Sequence, residues 1–449
     1  MSEGIKNKGW TVASAGTGIN LALGILYTWS IFKGAIEKSI NEGGAGAFNW
    51  DIAKLNDPYS LCCLAFAFSM ILAGKCQDKF GPRVTAFIGG ILVGLGLLLI
   101  SQSSSYVNWV VGFGLLVGTG IGFGYSSATP PALKWFPAAK TGLIAGLVVA
   151  GFGLASVWSA PTAEYLLKTY GIHQAMLIFG GLFTAVVCGL SLFLVNPPAG
   201  YVPGGAAAQL QASTAPQNDA PPSVMMKSDY FWTLWIIYFI AAGVGLMIIG
   251  SVSGMAKKSM GDSAFIAVVI LAIGNAAGRI VAGIVSDKLG RKATLIGVLL
   301  LQAALMIAAI PLVGSATTSA LWIVLLATFI GFNYGANLSL FPALTKDRWG
   351  LKSFGMNYGI LFTAWGLGGF VMSRMQQMLT ASTGSFSSAF IIATILLILA
   401  TVVTLTLKTA EPVAVPEKAE IPEGAIFQPQ LGLTMADGGE KIEKDDKKK

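Results

Sequence analysis

The chain has 449 residues, of which 54% are hydrophobic and only 11% charged. A soluble domain carries roughly 25% charged residues, and a disordered chain carries far less apolar material, so both classes are excluded. The apolar residues come in long continuous blocks instead of alternating with polar ones, which argues against a membrane β-barrel. The composition therefore predicts an all-α polytopic membrane protein.

Twelve apolar blocks are long enough to cross a bilayer, which takes about 20 residues in a helix. They run over 10–32, 58–77, 84–101, 109–133, 141–165, 174–195, 230–255, 264–286, 293–313, 320–343, 354–379 and 386–407. The segment between the sixth and seventh blocks is rich in Pro, Ala, Gln and Ser, which is typical of a linker. We therefore expect a six-helix bundle over 1–195, a cytoplasmic linker over 196–229, a second six-helix bundle over 230–408 and a disordered cytoplasmic tail over 409–449.

The basic residues of the loops predict the orientation of the chain. Most loop Lys and Arg residues before the tail fall on the side of the membrane where the first block begins. Because positively charged loops stay in the cytoplasm, we expect both termini there. The same loops account for the net charge of +8, so the basic balance indicates no nucleic-acid partner.

The two halves of the chain repeat one loop. GKCQDKFGPR follows the second block and contains Asp78 and Arg83, and GIVSDKLGRK follows the eighth and contains Asp287 and Arg291. An acidic residue beside basic ones at a helix end predicts a charge latch between helices. The repeated motif resembles the signature loop of the major facilitator superfamily, which implies two six-helix halves that rock around a central cavity.

The eighth block contains a basic residue far from either end. Arg279 lies seven residues before Ser286, roughly 10 Å inside the helix end, where a charge costs at least about 2.5 kcal/mol. Asn275 is one turn earlier on the same helix face, and the glycines at 274 and 278 are expected to leave room beside both. This pattern predicts a guanidinium that faces the cavity and holds a carboxylate by paired hydrogen bonds. The alternatives are a snorkelling arginine and a structural ion pair.

The acidic residues all fall at the ends of blocks or in loops. A cavity with one cation and no carboxylate favours a small anionic substrate with a single carboxylate group. Aromatic residues within the blocks are predicted to form the wall of its site: Tyr27, Tyr125, Tyr334, Tyr358, Phe362 and Trp365. Arg374, near the outer end of the eleventh block, is expected to anchor at the interface, with a gating role as the alternative.

The sequence offers no catalytic cluster, metal site or cofactor motif. GTGIGFGY, at 118–125, matches a nucleotide-binding glycine pattern only loosely and lies inside an apolar block with no strand before it. An enzyme and an ATP-driven pump are therefore poor interpretations. A membrane sensor would need a folded cytoplasmic domain, and 409–449 is too short and polar to form one.

Four segments resemble the monocarboxylate transporters and the neighbouring oxalate:formate antiporters. They are KWFPAAKTGLIAGLVVAGFG at 134–153, GNAAGRIVAGIVSDKLGR at 274–291, YGANLSLFPAL at 334–344 and NYGILFTAWGLGG at 357–369. The resemblance implies that Arg279 binds the substrate carboxylate and that the protein is a monomer in a bacterial inner membrane. In two places the sequence departs from its relatives. Trp365 stands where the oxalate:formate antiporters have a lysine, and Asn275 stands where the animal monocarboxylate transporters have an aspartate.

The resemblance implies symport of L-lactate or a similar monocarboxylate with a proton. The proton would travel on a peripheral acidic residue, for which Glu37, Asp57 and Glu164 are candidates that the sequence does not rank. The alternative function is the exchange of organic anions. The expected partners are thus a small monocarboxylate, a proton and the lipid bilayer, without a cofactor.

Overall fold

The structure is a computed structural model that describes residues 7–44, 46–137, 141–198, 201, 220–315, 317–350 and 353–407, with the backbone alone for 78, 141 and 142. Within these ranges the chain forms helices and no β-strand. The predicted tail over 409–449 and most of the predicted linker over 196–229 lie outside the described residues. The all-α prediction is confirmed.

The helices follow the predicted blocks closely. They are α1 (Gly9–Leu23), α2 (Trp29–Glu42), α3 (Asp57–Ser101), α4 (Tyr106–Trp109), α5 (Gly118–Leu133), α6 (Thr141–Ser191), α7 (Pro222–Met225), α8 (Asp229–Ile249), α9 (Val252–Met260), α10 (Phe265–Leu289), α11 (Arg291–Leu312), α12 (Ala320–Trp349), α13 (Phe354–Thr383) and α14 (Ser387–Thr406). A 3-10 turn, Gly24–Thr28, joins α1 to α2, and a π-helical stretch, Val110–Val117, joins α4 to α5.

Ten stretches of the described chain are long and apolar enough to cross a membrane. One of them, Leu143–Ser191, has 49 residues and would measure about 74 Å as a straight helix, more than twice the thickness of the hydrocarbon core. The backbone leaves the helical conformation at Gly171, so this stretch makes two crossings. The 30-residue α13 is not among the ten because its polar side chains lower its mean hydropathy. With α13 added, the crossings match the twelve predicted blocks.

The two repeated loops turn the chain in the same way. Gly81 and Gly290 have φ of +81° and +88° with extended ψ, a conformation that side chains with a Cβ rarely adopt. Both turns lie on the membrane face where α1 begins, because successive crossings run antiparallel. We call this the near face and the opposite one, where α2 ends and α3 begins, the far face.

Glycines bring α10 and α12 into backbone contact. A Cβ at Gly278 would overlap the carbonyl oxygen of Phe332, and one at Gly335 would overlap the carbonyl oxygen of Asn275. Helices that approach this closely gain dense van der Waals packing inside a bilayer. The space that the sequence suggested beside Asn275 and Arg279 is therefore filled by α12 along this edge of α10.

We predict that Gly278→Ala destabilises the protein by about 1–3 kcal/mol, because the added methyl group must push α12 away from α10. Thermal unfolding in detergent would measure the fall in Tm. Gly297→Ala in α11 is the matched control, since a Cβ there meets nothing within 4 Å. Equal Tm values for the two variants would contradict the packing argument.

Candidate functional site

Arg279 is fixed by neutral groups from two helices. Its Nε donates to Asn275 Oδ1 at 3.1 Å, and its Nη1 donates to the carbonyl oxygen of Val149 in α6 at 2.9 Å. The side chain is buried, and the ion pairs formed by the described residues do not include it. The guanidinium thus keeps its positive charge without a carboxylate beside it.

The guanidinium of Arg279 lies against the backbone of α6 at Gly153. A Cβ at Gly153 in α6 would lie 3.5 Å from Nη2 of Arg279, so the glycine lets the planar group approach the helix closely. A guanidinium has five N–H donors, of which the contacts to Asn275 and Val149 use two, and the Tyr125 hydroxyl interacts with the same group. The remaining donors on Nη1 and Nη2 match the spacing of the two oxygen atoms of a carboxylate.

A small cavity lies beside Arg279. The space between its wall atoms is about 180 Å³, which includes the part that is open at its mouth. It is lined by Tyr27, Phe66, Tyr125, Phe152, Arg279, Leu338, Phe362 and Trp365. Five of the residues singled out from the sequence are therefore brought together around one space: Tyr27, Tyr125, Arg279, Phe362 and Trp365.

Hydroxyl groups join helices from distant parts of the chain at this cavity. The hydroxyls of Tyr27 and Tyr334 lie 2.9 Å apart, and Trp365 Nε1 donates to the Tyr334 hydroxyl at 2.9 Å. Tyr27 belongs to the 3-10 turn after α1, whereas Tyr334 lies in α12 and Trp365 in α13. Tyr334 is not among the lining residues, but its hydroxyl group holds two side chains that are, Tyr27 and Trp365.

Tyr358 also lies behind the cavity wall. Its hydroxyl is 3.3 Å from that of Tyr238, and its ring packs 5.7 Å from the ring of Phe362. Phe362 in turn stacks on Trp365 with 4.7 Å between ring centroids. The aromatic wall is therefore continuous along one face of α13.

Sequence reasoning missed three lining residues and one backbone group. Phe66, Phe152 and Leu338 are apolar residues within apolar blocks, so nothing in the sequence distinguishes them from residues that face lipid. The carbonyl oxygen of Val149 has no sequence signature of its own. The glycine that follows four residues later, at 153, was the available hint.

The three candidate proton carriers lie away from the cavity. Asp57, at the start of α3, has a side chain only 6% exposed, pairs with Arg374 Nη1 at 3.2 Å and accepts from the Tyr106 hydroxyl at 2.6 Å. Glu164 pairs with Lys168 at 3.2 Å and is partly exposed, and Glu37 is half-buried on α2. Arg374, expected at the interface, thus joins α13 to α3 through Asp57.

The predicted latch residues differ in their surroundings. Arg291 pairs with Asp287 at 2.6 Å and with Asp347 at 3.0 Å, which joins the near-face ends of α10, α11 and α12. In the first repeat the side chain of Asp78 lies outside the described residues. Arg83 is exposed, and no ion pair between described side chains includes it.

The sequence profile of the Major Facilitator Superfamily matches residues 11–373, with a second, overlapping match over 266–437. The chain belongs to the Major Facilitator Superfamily. It is therefore a multi-pass membrane transporter and not an enzyme, as the sequence predicted.

Individual relatives agree with the resemblance that the motifs indicated. The chain is 27% identical over 350 residues to an uncharacterized MFS-type transporter, YhjX, of Escherichia coli, covering 77% of this chain and 82% of the relative. It is 27% identical over 348 residues to the oxalate:formate antiporter of Oxalobacter formigenes, covering 76% and 77%. It is 24% identical over 405 residues to monocarboxylate transporter 13 of Rattus norvegicus, covering 89% of each chain.

We predict that Tyr334→Phe lowers the free energy of unfolding by about 1–3 kcal/mol, because the hydroxyl of Tyr27 and the indole N–H of Trp365 both lose their partner. Thermal unfolding in detergent measures the change. Tyr358→Phe is the matched control, because that hydroxyl has a single, longer contact at 3.3 Å. A larger fall in Tm for Tyr358→Phe than for Tyr334→Phe would contradict the role given to Tyr334.

Proposed function

We propose that the protein carries small monocarboxylates such as L-lactate across the membrane by alternating access. The observation that carries the proposal is the buried guanidinium of Arg279, which has only neutral protein partners and lines a small aromatic cavity. A carboxylate bound end-on to Nη1 and Nη2 would neutralise the charge and complete its hydrogen bonds. The named activities of the oxalate:formate antiporter and monocarboxylate transporter 13 are consistent with an organic anion.

The wall of the cavity supports a substrate with one carboxylate. Arg279 is the only cationic side chain among the residues that line the cavity, so a second carboxylate would have no partner there. Trp365 occupies the position at which the resemblance to oxalate:formate antiporters leads one to expect a lysine. The rings of Tyr125 and Phe362 offer an apolar surface suited to the short carbon chain of the substrate.

Exchange of one anion for another is the second candidate function. Without a bound anion, a carrier of this kind must rearrange with the uncompensated charge of Arg279 inside the membrane. That cost slows the return of the empty carrier and favours return with a second anion bound. A proton gradient can drive net uptake only if the empty carrier returns at a useful rate.

Among the three candidate carboxylates, the surroundings of Asp57 best support a role as proton carrier. It is buried, and it contacts Arg374 and Tyr106; Lys54 Nζ lies 5.9 Å from the centroid of the Tyr106 ring, and Asp51 acts on that tyrosine at longer range. Protonation of Asp57 would remove the charge that holds Arg374 and would weaken the contact between α3 and α13. Proton binding would then favour opening at the far face.

We expect Arg279→Gln and Arg279→Lys to reduce L-lactate uptake by at least about 100-fold, because two hydrogen bonds between charged groups are lost or misaligned. Uptake of labelled L-lactate into proteoliposomes, with an inward proton gradient and no internal anion, measures the effect. Lys258→Gln, an exposed cation near the far face, is the control and should keep wild-type uptake. Full uptake and affinity in either Arg279 variant would refute the proposed site.

We expect Asp57→Asn to abolish the stimulation of L-lactate uptake by an inward proton gradient, while exchange of internal for external L-lactate continues. The variant keeps the shape of the side chain but removes its titration. Glu164→Gln is the matched control, since Glu164 lies at the partly exposed end of α6 and should leave the stimulation unchanged. A wild-type response to the gradient in Asp57→Asn would exclude Asp57 as the proton carrier.

The same assay on the wild-type protein separates the two candidate functions. If the wild-type protein took up L-lactate only in exchange for an internal carboxylate, exchange would be its function.

A further inference from the structure

One aromatic ring closes the cavity on the side of α3. Among the described residues that line the cavity, Phe66 alone comes from α3, and only 1% of it is exposed. Its ring packs on four other rings of the wall, with centroid distances of 5.3 Å to Tyr125, 5.7 Å to Phe152, 5.5 Å to Phe362 and 5.1 Å to Trp365. Those four rings belong to α5, α6 and α13, so Phe66 is the point at which three walls of the cavity meet.

The helix that carries Phe66 lies across the cavity from the helix that carries Arg279. The two halves of the chain meet along α3 and α13 on one side of the cavity and along α6 and α10 on the other. On the first side, a Cβ at Gly366 in α13 would lie 2.9 Å from the carbonyl oxygen of Cys63 in α3. On the second side, Arg279 reaches the backbone of α6. A carboxylate bound to Arg279 therefore has the rest of its molecule directed toward α3 and α13.

The end of the cavity at Phe66 offers no partner to a charge. Phe66 and Phe362 have no polar side-chain atom, and the indole N–H of Trp365 is already donated to a hydroxyl group behind the wall. The Tyr125 hydroxyl belongs to the other end, where it interacts with Arg279. The cavity is thus polar at the guanidinium and apolar at α3, which orients a monocarboxylate with its carbon chain toward Phe66.

The other rings of the wall have additional contacts that fix them in place. Phe152 lies on α6 beside the groups that hold the guanidinium, and its ring packs 5.1 Å from the ring of Tyr27. Phe362 stacks on Trp365 at 4.7 Å, and Trp365 donates a hydrogen bond. The ring of Phe66 makes packing contacts alone. Its size can therefore change without removing a hydrogen bond of the site.

We infer that Phe66 sets the longest carbon chain that the site accepts. The inference rests on the proposed function. With the carboxylate on Arg279, the chain of a short acid ends against the ring of Phe66. Each further methylene group must displace that ring, which cannot move without shifting the four rings packed around it. The site thus selects acids about as short as L-lactate by excluding longer ones.

Competition between acids of increasing length tests this inference. Uptake of labelled L-lactate into proteoliposomes is measured against unlabelled α-hydroxy acids, from L-lactate through α-hydroxybutyrate to α-hydroxycaproate. Phe66→Ala should lower the half-inhibitory concentration of α-hydroxycaproate, relative to that of L-lactate, at least about tenfold. One methylene group in an apolar pocket already changes discrimination by about 10–200-fold. Labelled α-hydroxycaproate should also be taken up by this variant and hardly by the wild-type protein.

Phe66→Trp tests the same limit in the opposite direction. The larger ring takes space from the carbon chain, so uptake of L-lactate should fall at least about tenfold, while uptake of the shorter glycolate falls less. Phe179→Ala is the matched control. It removes a buried ring of the same half that lies outside the cavity wall and packs on Phe183 at 5.3 Å, so it should leave the order of the acids unchanged.

A change of fold is kept apart from a change of selectivity. Thermal unfolding in detergent shows whether each variant is folded. Phe66→Leu keeps an apolar side chain of intermediate size, so it should shift the order of the acids in the same direction as Phe66→Ala by a smaller factor. If Phe66 served packing alone, its variants would weaken all acids by one common factor, and that result would overturn the inference.

Two further outcomes would overturn the inference while leaving the proposed function intact. The first is a wild-type protein that carries α-hydroxycaproate as well as L-lactate. The second is a larger gain of α-hydroxycaproate uptake in Leu338→Ala than in Phe66→Ala, which would place the end of the carbon chain at α12. A wild-type protein that carried no monocarboxylate would instead refute the proposed function itself.

Discussion

The arrangement of this transporter depends on the positive charge of Arg279, which lies inside the membrane and pairs with no carboxylate of the described residues. Arg279 is tolerated because Asn275 and the carbonyl oxygen of Val149 replace part of the hydration that the guanidinium loses. A carboxylate in either position would satisfy the charge permanently and leave no reason for an anion to bind. Neutral acceptors instead hold the side chain in place while leaving its charge available. In the proposed function, affinity for an anion and the cost of the empty site therefore have the same physical origin.

Backbone contacts between helices make this arrangement possible. Asn275 and Arg279 lie one turn apart on α10, which packs against α12 at Gly278 and Gly335, so main-chain contacts fix the place where the amide oxygen accepts from the guanidinium. On the opposite side, Gly153 lets the guanidinium lie against α6. Larger residues at these positions would move the helices by more than the tolerance of a hydrogen bond. The glycines therefore set the position of Arg279 through the packing of the helix backbones.

The sequence predicted the parts of this site that stand out against an apolar background. Arg279 and Asn275 are conspicuous in an apolar block, and Tyr27, Tyr125 and Trp365 carry polar atoms that a lipid-facing residue rarely has. Phe66 and Phe152 could not be found in this way, because facing lipid and facing a cavity demand the same residue types. Lys33 directly follows the first apolar block, 10–32, where the sequence gives no sign of burial. Its burial depends on α2 continuing to Glu42 and packing against the second half of the chain, which no local pattern reveals.

Two polar contacts join the halves of the chain near the far face. Lys33 in α2 donates to the neutral oxygen atoms of Ser251 and Gln377. Asp57 binds Arg374, so a proton competes with that guanidinium for the carboxylate. In the proposed function a proton on Asp57 weakens the contact between α3 and α13, which favours opening at the far face. The proton would then act at the far face while the anion binds at Arg279, and proton coupling would need no acidic residue beside the guanidinium.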